Sequence, residues 1–275
     1  MGLKRDESGR LHIDSPLMGE SLMEKGLLAR TETDAIFQPM PDVQVLKLGG
    51  QSIIDRGAKV VLPLINEIVA AREAHDILVL TGGGTRSRHA YAIALDLGMP
   101  TGVLAKLGSS ISEQNALMIA LLLAPHGGVK IGLDDLTKLP AYLRLGIIPV
   151  MHAMPPYGLW EEPPDVGRIP PHRTDAGTLL TAEVLGARRC ILVKDERGLH
   201  TDDPKRNASA EFIPEISVNE LLARDLTDLP VERAMLRALA RARSVREVLI
   251  VNGREPGALT AALRGESPGT RITVG

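Results

Sequence analysis

Aromatic side chains are scarce in this 275-residue chain, where Phe, Tyr and Trp together make 2%. So few rings cannot build a stacking platform for single-stranded nucleic acid or a cage for a quaternary ammonium, and the core must be aliphatic. Cysteine is rarer still. Cys190 stands alone, which excludes an intrachain disulfide and any Cys-cluster zinc or iron–sulfur site. Placed before Ile-Leu-Val, it reads as a buried strand residue. An excess of one charge is also lacking: 32 basic against 34 acidic residues leave a net charge of -2. With no basic field to attract a phosphate backbone, nucleic acid is not an expected partner. No run approaches the ~18 apolar residues of a membrane span, and no apolar segment follows the N-terminal charges as in a secretory leader. No membrane contact is expected, and the expected location is the cytoplasm. Met1-Gly2 could begin a myristoylation signal, but Asp6 stands where that signal wants Ser or Thr.

What remains is ordinary globular material, 44% hydrophobic and 24% charged, in a length that suits one large α/β domain. Residues 1 to 40 carry mixed charge and no sustained period, so they read as an N-terminal extension, disordered or packed on a neighbouring subunit. The domain proper spans 41–275. VQVLKL at 43 to 48 ends in Gly49-Gly50 and is followed by a helical pattern from Ser52 to Ala74. ILVL at 77 to 80 runs into Gly82-Gly83-Gly84 and a second helical stretch closed by Gly98. Ser110-x-x-Glu113 has the form of a capping box opening an apolar helix that stops at Pro125-His126. Further aliphatic runs lie at 129 to 131, 147 to 151, 190 to 194, 248 to 252 and 270 to 274. Aliphatic strands without polar alternation, separated by helices, predict a mainly parallel central sheet covered on both faces, a three-layer αβα sandwich. Residues 152–173 hold six prolines and predict an ordered excursion or lid within an N-lobe (about 41–173), which a C-lobe (about 174–275) follows.

Lys47 followed by Gly49-Gly50 puts a full positive charge and close-approach backbone N–H groups at a strand end, which is phosphate chemistry. The spacing is neither Walker A nor the dinucleotide fingerprint. Gly83-Gly84 with Arg86 and Arg88 forms a second glycine loop after a second strand. Two such loops at carboxyl ends of parallel strands should converge on one crevice, with Arg88 favoured as the anion contact. Thr174-Asp175 opens a helix of small and aliphatic residues, with either side chain available as N-cap. The seven histidines show no paired metal-ligand spacing. His152 and His172 bracket the proline segment and His126 ends a helix, so these three could meet in a cavity or at a subunit interface.

Taken in order, KLGG, TGGGTRSRH, RTDAGTLLTAEVLGA, VKDERGLHTDDP and VNGREPGALTAALRGESPGTRIT resemble the amino acid kinase family and, within it, the uridylate kinases. The likeness runs from about residue 42 to the C-terminus. It implies an αβα fold binding ATP with Mg²⁺ in the C-terminal half, a phosphoryl acceptor in the N-terminal half, and hexamers. By position it implies that Lys47 and Asp175 are catalytic and that Gly49 and Gly50 hold phosphates. Gly83, Gly84 and Arg88 would face the acceptor. Lys194, Gly198, Leu199, His200 and Asp203 would surround the nucleotide, with His200 standing where the kinases usually carry tyrosine.

QSIIDRGA, LGMPTGVLAKLGSSISEQNA, MPPYGLW and IPPHRTDAG are similar to the molybdenum storage group of the same superfamily. That group binds ATP and accumulates molybdate or tungstate as polyoxometalate clusters. Gly158-Leu159-Trp160 after Pro155-Pro156-Tyr157 is nearer its beta-type subunit, because the alpha type carries a run of histidines there. His126 matches a beta-type histidine and is the first candidate for an oxometalate contact, with His152 and His172 behind it; His172 is the more alpha-like. The resemblance implies a hexameric cage, of one chain or with an alpha-type sister subunit. Three readings stay open: oxometalate storage with ATP hydrolysis driving loading, a uridylate kinase-like phosphotransferase acting on a small acceptor, and a nucleotide-binding regulatory protein with no turnover.

Overall fold

The computed structural model describes residues 4, 5, 7–9, 11, 12, 25–29, 31–203, 206, 207 and 209–275. Met1, Gly2, Asp6 and Pro204, considered above, lie outside them. The chain divides into two units, Met1–Phe37 and Gln38–Gly275. In the first, β1 (Lys4–Arg5) pairs antiparallel with β2 (Leu11–His12), followed by the short α1 (Lys25–Ala29).

The second unit runs β3 (Gln44–Leu48), α2 (Ala58–Ala71), β4 (Ile77–Thr81), α3 (Thr85–Asp96), α4 (Thr101–Leu123), β5 (Gly128–Lys130), α5 (Leu139–Arg144), β6 (Ile148–His152), α6 (Thr174–Leu185), β7 (Arg189–Lys194), β8 (Leu199–His200), β9 (Phe212–Ile213), β10 (Glu215–Ser217), α7 (Val218–Arg224), α8 (Arg233–Leu239), β11 (Glu247–Asn252), α9 (Ala258–Arg264) and β12 (Thr270–Thr273). Eight strands form one sheet in the order β10-β12-β11-β7-β3-β4-β6-β5, parallel except where β11 meets β12. This is the three-layer architecture that the aliphatic strand pattern predicts.

Both faces of the central strands are buried, which is why their sequences do not alternate with polar residues. Val45 of β3 and Cys190 and Leu192 of β7 turn to one face, packing with Leu179, Leu221 and Leu236 of the helices there. Leu46 and Leu48 of β3 and Ile191 and Val193 of β7 turn to the other, against Ile65, Ile119 and Leu259. Cys190 is buried in β7 as its neighbours suggested, and burial pushes its thiol up to about 12.

Three local expectations are corrected. The helix after Gly49-Gly50 begins at Ala58, not Ser52: a 3-10 turn over Ile54–Arg56 intervenes, and Gly57 turns the chain with a φ of 68°. The capping box at Ser110 is mid-helix, because α4 starts at Thr101 and Ser110 Oγ donates to the Lys106 carbonyl one turn back. Glu113 is engaged instead by Lys130, 2.6 Å away. The helical run Thr101–His126 is also long and apolar enough to cross a membrane by length and composition. Leu104, Ile119 and Leu123 within it are fully buried in the protein's own core, whereas Leu117, Met118, Leu121 and Leu122 are exposed.

Candidate functional site

Strand order reverses at β3. The chain passes from β3 to β4 on one side, while β7 closes on the other, so β3 and β7 flank a topological switch point, where open α/β sheets bind ligands beyond the strand carboxyl ends. Lys47 sits near the end of β3 and Lys194 at the end of β7. The ladder continues past the strands, with the Gly49 N–H donating to the Val193 carbonyl and that of Gly82 to the Leu48 carbonyl, each at 3.0 Å. The two glycine loops touch. A Cβ on Gly50 would stand 2.1 Å from the backbone nitrogen of Gly84, so only a residue without a side chain lets the loops meet. They bound one cavity of about 880 Å³, within the range that takes a small molecule or nucleotide.

At the floor of this cavity Asp175 is 3% exposed and accepts from both lysines. Lys47 Nζ donates to Oδ1, and Lys194 Nζ lies 2.9 Å from each carboxylate oxygen. Burial alone would raise the Asp175 carboxyl, but Lys194 and Lys47 together outweigh it and hold it well below the usual carboxylate range. Lys47 is lowered from the ordinary lysine value by desolvation, which Asp175 partly offsets. Two ammonium groups around one carboxylate leave a surplus positive charge, suited to an incoming anion.

Asp175 owes its place to a residue far along the chain. Neither Thr174 nor Asp175 caps α6 with its side chain, which corrects the N-cap expectation. The carboxylate of Glu232 does so, accepting the N–H groups of Arg173, Asp175 and Ala176, each at 3.0 Å. It thereby satisfies donors that a helix leaves unpaired in its first turn. Asp175 is thus freed to face the lysines.

From the second glycine loop and α3, Gly83, Gly84 and Arg88 line the same cavity, while Arg86 turns away to Gln114 and Asn115 of α4. Ser87 also lines it, with a buried hydroxyl that has no hydrogen-bond partner among the described residues. Lys194, His200, Asp202, Asp203 and the run Asp228 to Glu232 line the cavity as well. The His200 ring meets Phe212 edge-on at 5.6 Å, and the Arg197 guanidinium lies 4.4 Å over the same Phe212 ring. Gly198 and Leu199 do not line the cavity: a Cβ on Gly198 would run into Thr270, and Leu199 belongs to the core.

The three singled-out histidines do not meet. His126 precedes β5 and lines a second cavity of about 440 Å³ with Arg72 and His75, whereas His152 lies at the carboxyl end of the neighbouring parallel strand β6. Burial lowers the His152 imidazole, with Glu113 opposing, and its Nδ1 is buried without a partner among the described residues. His172 Nδ1 is paired with Glu161 Oε1 at 2.9 Å, and Tyr157 meets its ring edge-on. Among the described residues no group of three or more His, Cys, Asp or Glu is arranged to hold a metal ion.

Sequence reading missed Glu232 and Arg56. Glu232 carries no local motif, since its partners lie 56 to 59 residues away. Arg56 falls inside an apparently ordinary helix start.

Residues 42–252 match the model of the amino acid kinase family. The beta subunit of the molybdenum storage protein from Azotobacter vinelandii is 50% identical over 261 residues, 95% of this chain and 97% of that one. A uridylate kinase from Pyrococcus abyssi is 26% identical over 235 residues, 80% of this chain and 98% of that one. Among solved structures, uridylate kinase from Archaeoglobus fulgidus superposes with a TM-score of 0.66 at 24% identity, over 84% of this chain and all of that one, a likeness of fold. The chain belongs to the amino acid kinase family and, within it, to the family of the molybdenum storage protein beta subunit.

Proposed function

We propose that this chain binds ATP with Mg²⁺ in the cavity at the switch point and serves as a subunit of a molybdenum and tungsten store, holding molybdate or tungstate as polyoxometalate clusters. The observation that carries the nucleotide half is the pairing of Lys47 and Lys194 around buried Asp175 beneath two touching glycine loops. Lys47, Gly49, Gly50 and Lys194 would hold the phosphates, and His200 and Asp203 would stand at the nucleoside side. Mg²⁺ supplies charge neutralisation to the phosphates when bound. Asp175, with its oxygens taken by two lysines, does not fit as its ligand, and no group of three or more acids among the described residues is arranged to hold such an ion.

The storage half rests on the 50% identity to a molybdenum storage beta subunit. A condensed oxometalate is a polyanion, and enclosing it uncompensated is prohibitive, so donors must line its cavity. His126, beside Arg72 and His75, is the first contact proposed; His152 and His172 are the others. Enclosure also needs a cage, which we assign to a hexamer, of this chain alone or with an alpha-type sister. Exposed apolar side chains such as Leu117, Leu121 and Trp160 offer surface for such contacts. Molybdenum per subunit, measured on protein purified after growth with molybdate, tests the reading. Protein that retains none, with an alpha-type sister co-expressed, overturns it.

One observation favours a second reading, a uridylate kinase-like phosphotransferase: Gly83, Gly84 and Arg88 share the cavity with Lys47. A coupled assay with ATP and each nucleoside monophosphate separates the two. Acceptor-dependent turnover of about 1 per second or faster, the ordinary kinase range, would select the kinase.

A further inference from the structure

Two consecutive residues of the 3-10 turn after β3 reach different neighbours, one just beyond β4 and the other just beyond β7. The Asp55 carboxylate accepts the N–H of Thr85 at the start of α3, 2.6 Å away. Arg56 points the other way, to the Asp195 carboxylate just beyond β7. Its guanidinium is also tethered to the glycine loop, because Nε donates to the Ser52 carbonyl at 2.8 Å. Arg56, Ser52 and Asp195 all line the cavity that holds Lys47 and Lys194.

The pair is not a buried structural bridge. The Arg56 side chain is 39% exposed and that of Asp195 22%. Pairs this open to solvent add little to stability, since water and salt screen them. A guanidinium meeting a phosphate gains a charge-assisted, potentially bidentate contact, which is the stronger bond. Anchored at Nε, Arg56 can turn its outer nitrogens from one partner to another without losing its place beside the loop.

We propose that Arg56 is a further phosphate-binding residue of this chain, held in reserve by Asp195 and released to the phosphate chain of a nucleoside triphosphate when one enters. The inference rests on the reading that the cavity takes ATP. Asp195 then acts as a brake, competing with the ligand for Arg56, and the strength of that competition sets how tightly the nucleotide is held.

Calorimetric titration of the full chain with ATP in EDTA, which removes divalent cations from the comparison, tests this. Arg56→Gln should weaken ATP binding about tenfold, the scale of one hydrogen bond to a charged group. Asp195→Asn should tighten it about three- to tenfold, because Arg56 no longer has a competing partner. Removing any carboxylate from a cavity favours an anion to some degree, so the deciding protein is the double variant. With Arg56→Gln in place, Asp195→Asn should add no more than about twofold. A gain as large as in the single variant would show generic charge removal and overturn the proposal, as would an Asp195→Asn protein that binds ATP no tighter than the parent. Thermal melting within a few degrees of the parent, as an exposed pair implies, accompanies the expected result. A collapsed melting temperature in either single variant would make the pair a structural clasp and also overturn the exchange. A parent chain that binds no ATP, with or without Mg²⁺, would bring down the nucleotide reading itself, whereas a parent that binds ATP with unchanged variants would remove only Arg56.

Discussion

Replacing Asp175 by Asn keeps the shape at the cavity floor and removes the buried negative charge that Lys47 and Lys194 share, leaving the two ammonium groups facing each other. Lys47 is itself only 3% exposed, so water cannot take over the role of counter-ion. Breaking a buried pair in this way costs about 3–5 kcal/mol, a large fraction of the 5–15 kcal/mol that holds a typical domain together. The loss should depend on pH in a definite direction. Desolvation lowers Lys47, and Asp175 is the largest influence raising it again; without the carboxylate, Lys47 falls further below its unfolded value. Between those two values the unfolded chain binds more protons than the folded one, so stability rises with pH, by up to about 1.4 kcal/mol per pH unit for one proton. Urea unfolding of the parent and Asp175→Asn from pH 6 to 9.5 should show a wide gap at pH 6 that narrows as pH rises. A gap below about 1 kcal/mol at pH 7, or one that widens with pH, would refute the account of the three-residue cluster.

Other consequences are more local. Glu232→Ala leaves three N–H groups of α6 without their acceptor and should cost about 3 kcal/mol, a fall of about 6–12 °C in melting temperature; Glu232→Gln, which keeps one acceptor oxygen, should recover part of it. Gly50→Ala places a Cβ 2.1 Å from the Gly84 nitrogen, so it should lower the melting temperature and abolish ATP binding by calorimetry, while a fully active variant would mean that the loops do not meet. The Cys190 thiol, buried and pushed up to about 12, should stay silent to a thiol reagent in native protein at pH 8 and react on unfolding. Lys47→Ala should weaken ATP binding by about 1.5–3 kcal/mol in a calorimetric titration, and an unchanged affinity would take Lys47 out of the phosphate site.

The fold was legible because both faces of the central strands are buried. Runs such as CILVK and VLIVN have no reason to alternate, and their spacing by helices leaves a parallel sheet as the natural arrangement. The convergence of the two glycine loops was legible for a similar reason: a glycine doublet after a strand end marks a place where backbone must pass close to something. What stayed hidden was the non-local chemistry. Ser110-x-x-Glu113 satisfies a local rule yet lies within a helix that begins nine residues earlier, because its Glu found Lys130 and its Ser found the turn behind it. The N-cap of α6 belongs to Glu232, brought back by the loop between α7 and α8. Arg56 was concealed because the turn before Gly57 has an apolar spacing that reads as a helix start.

Charge on the cavity wall narrows the kind of ligand further. Its cations are Lys47, Arg56, Arg88, Arg173 and Lys194; its acids are Asp175, Asp195, Glu196, Asp202, Asp203, Asp228 and Glu232. The acids outnumber the cations, so the cavity is no general trap for anions, as a basic cleft would be. Most of the cations are already engaged, Lys47 and Lys194 by Asp175, Arg56 by Asp195 and Arg173 by Glu232 at 3.8 Å. Asp175 and Glu232 are already committed, one to two lysines and the other to a helix end. A lining of both signs suits a ligand that itself carries both. A triphosphate accompanied by a divalent cation brings both signs and a bare oxoanion only one, so under the proposed function the nucleotide belongs in this cavity and the oxometalate in a different one.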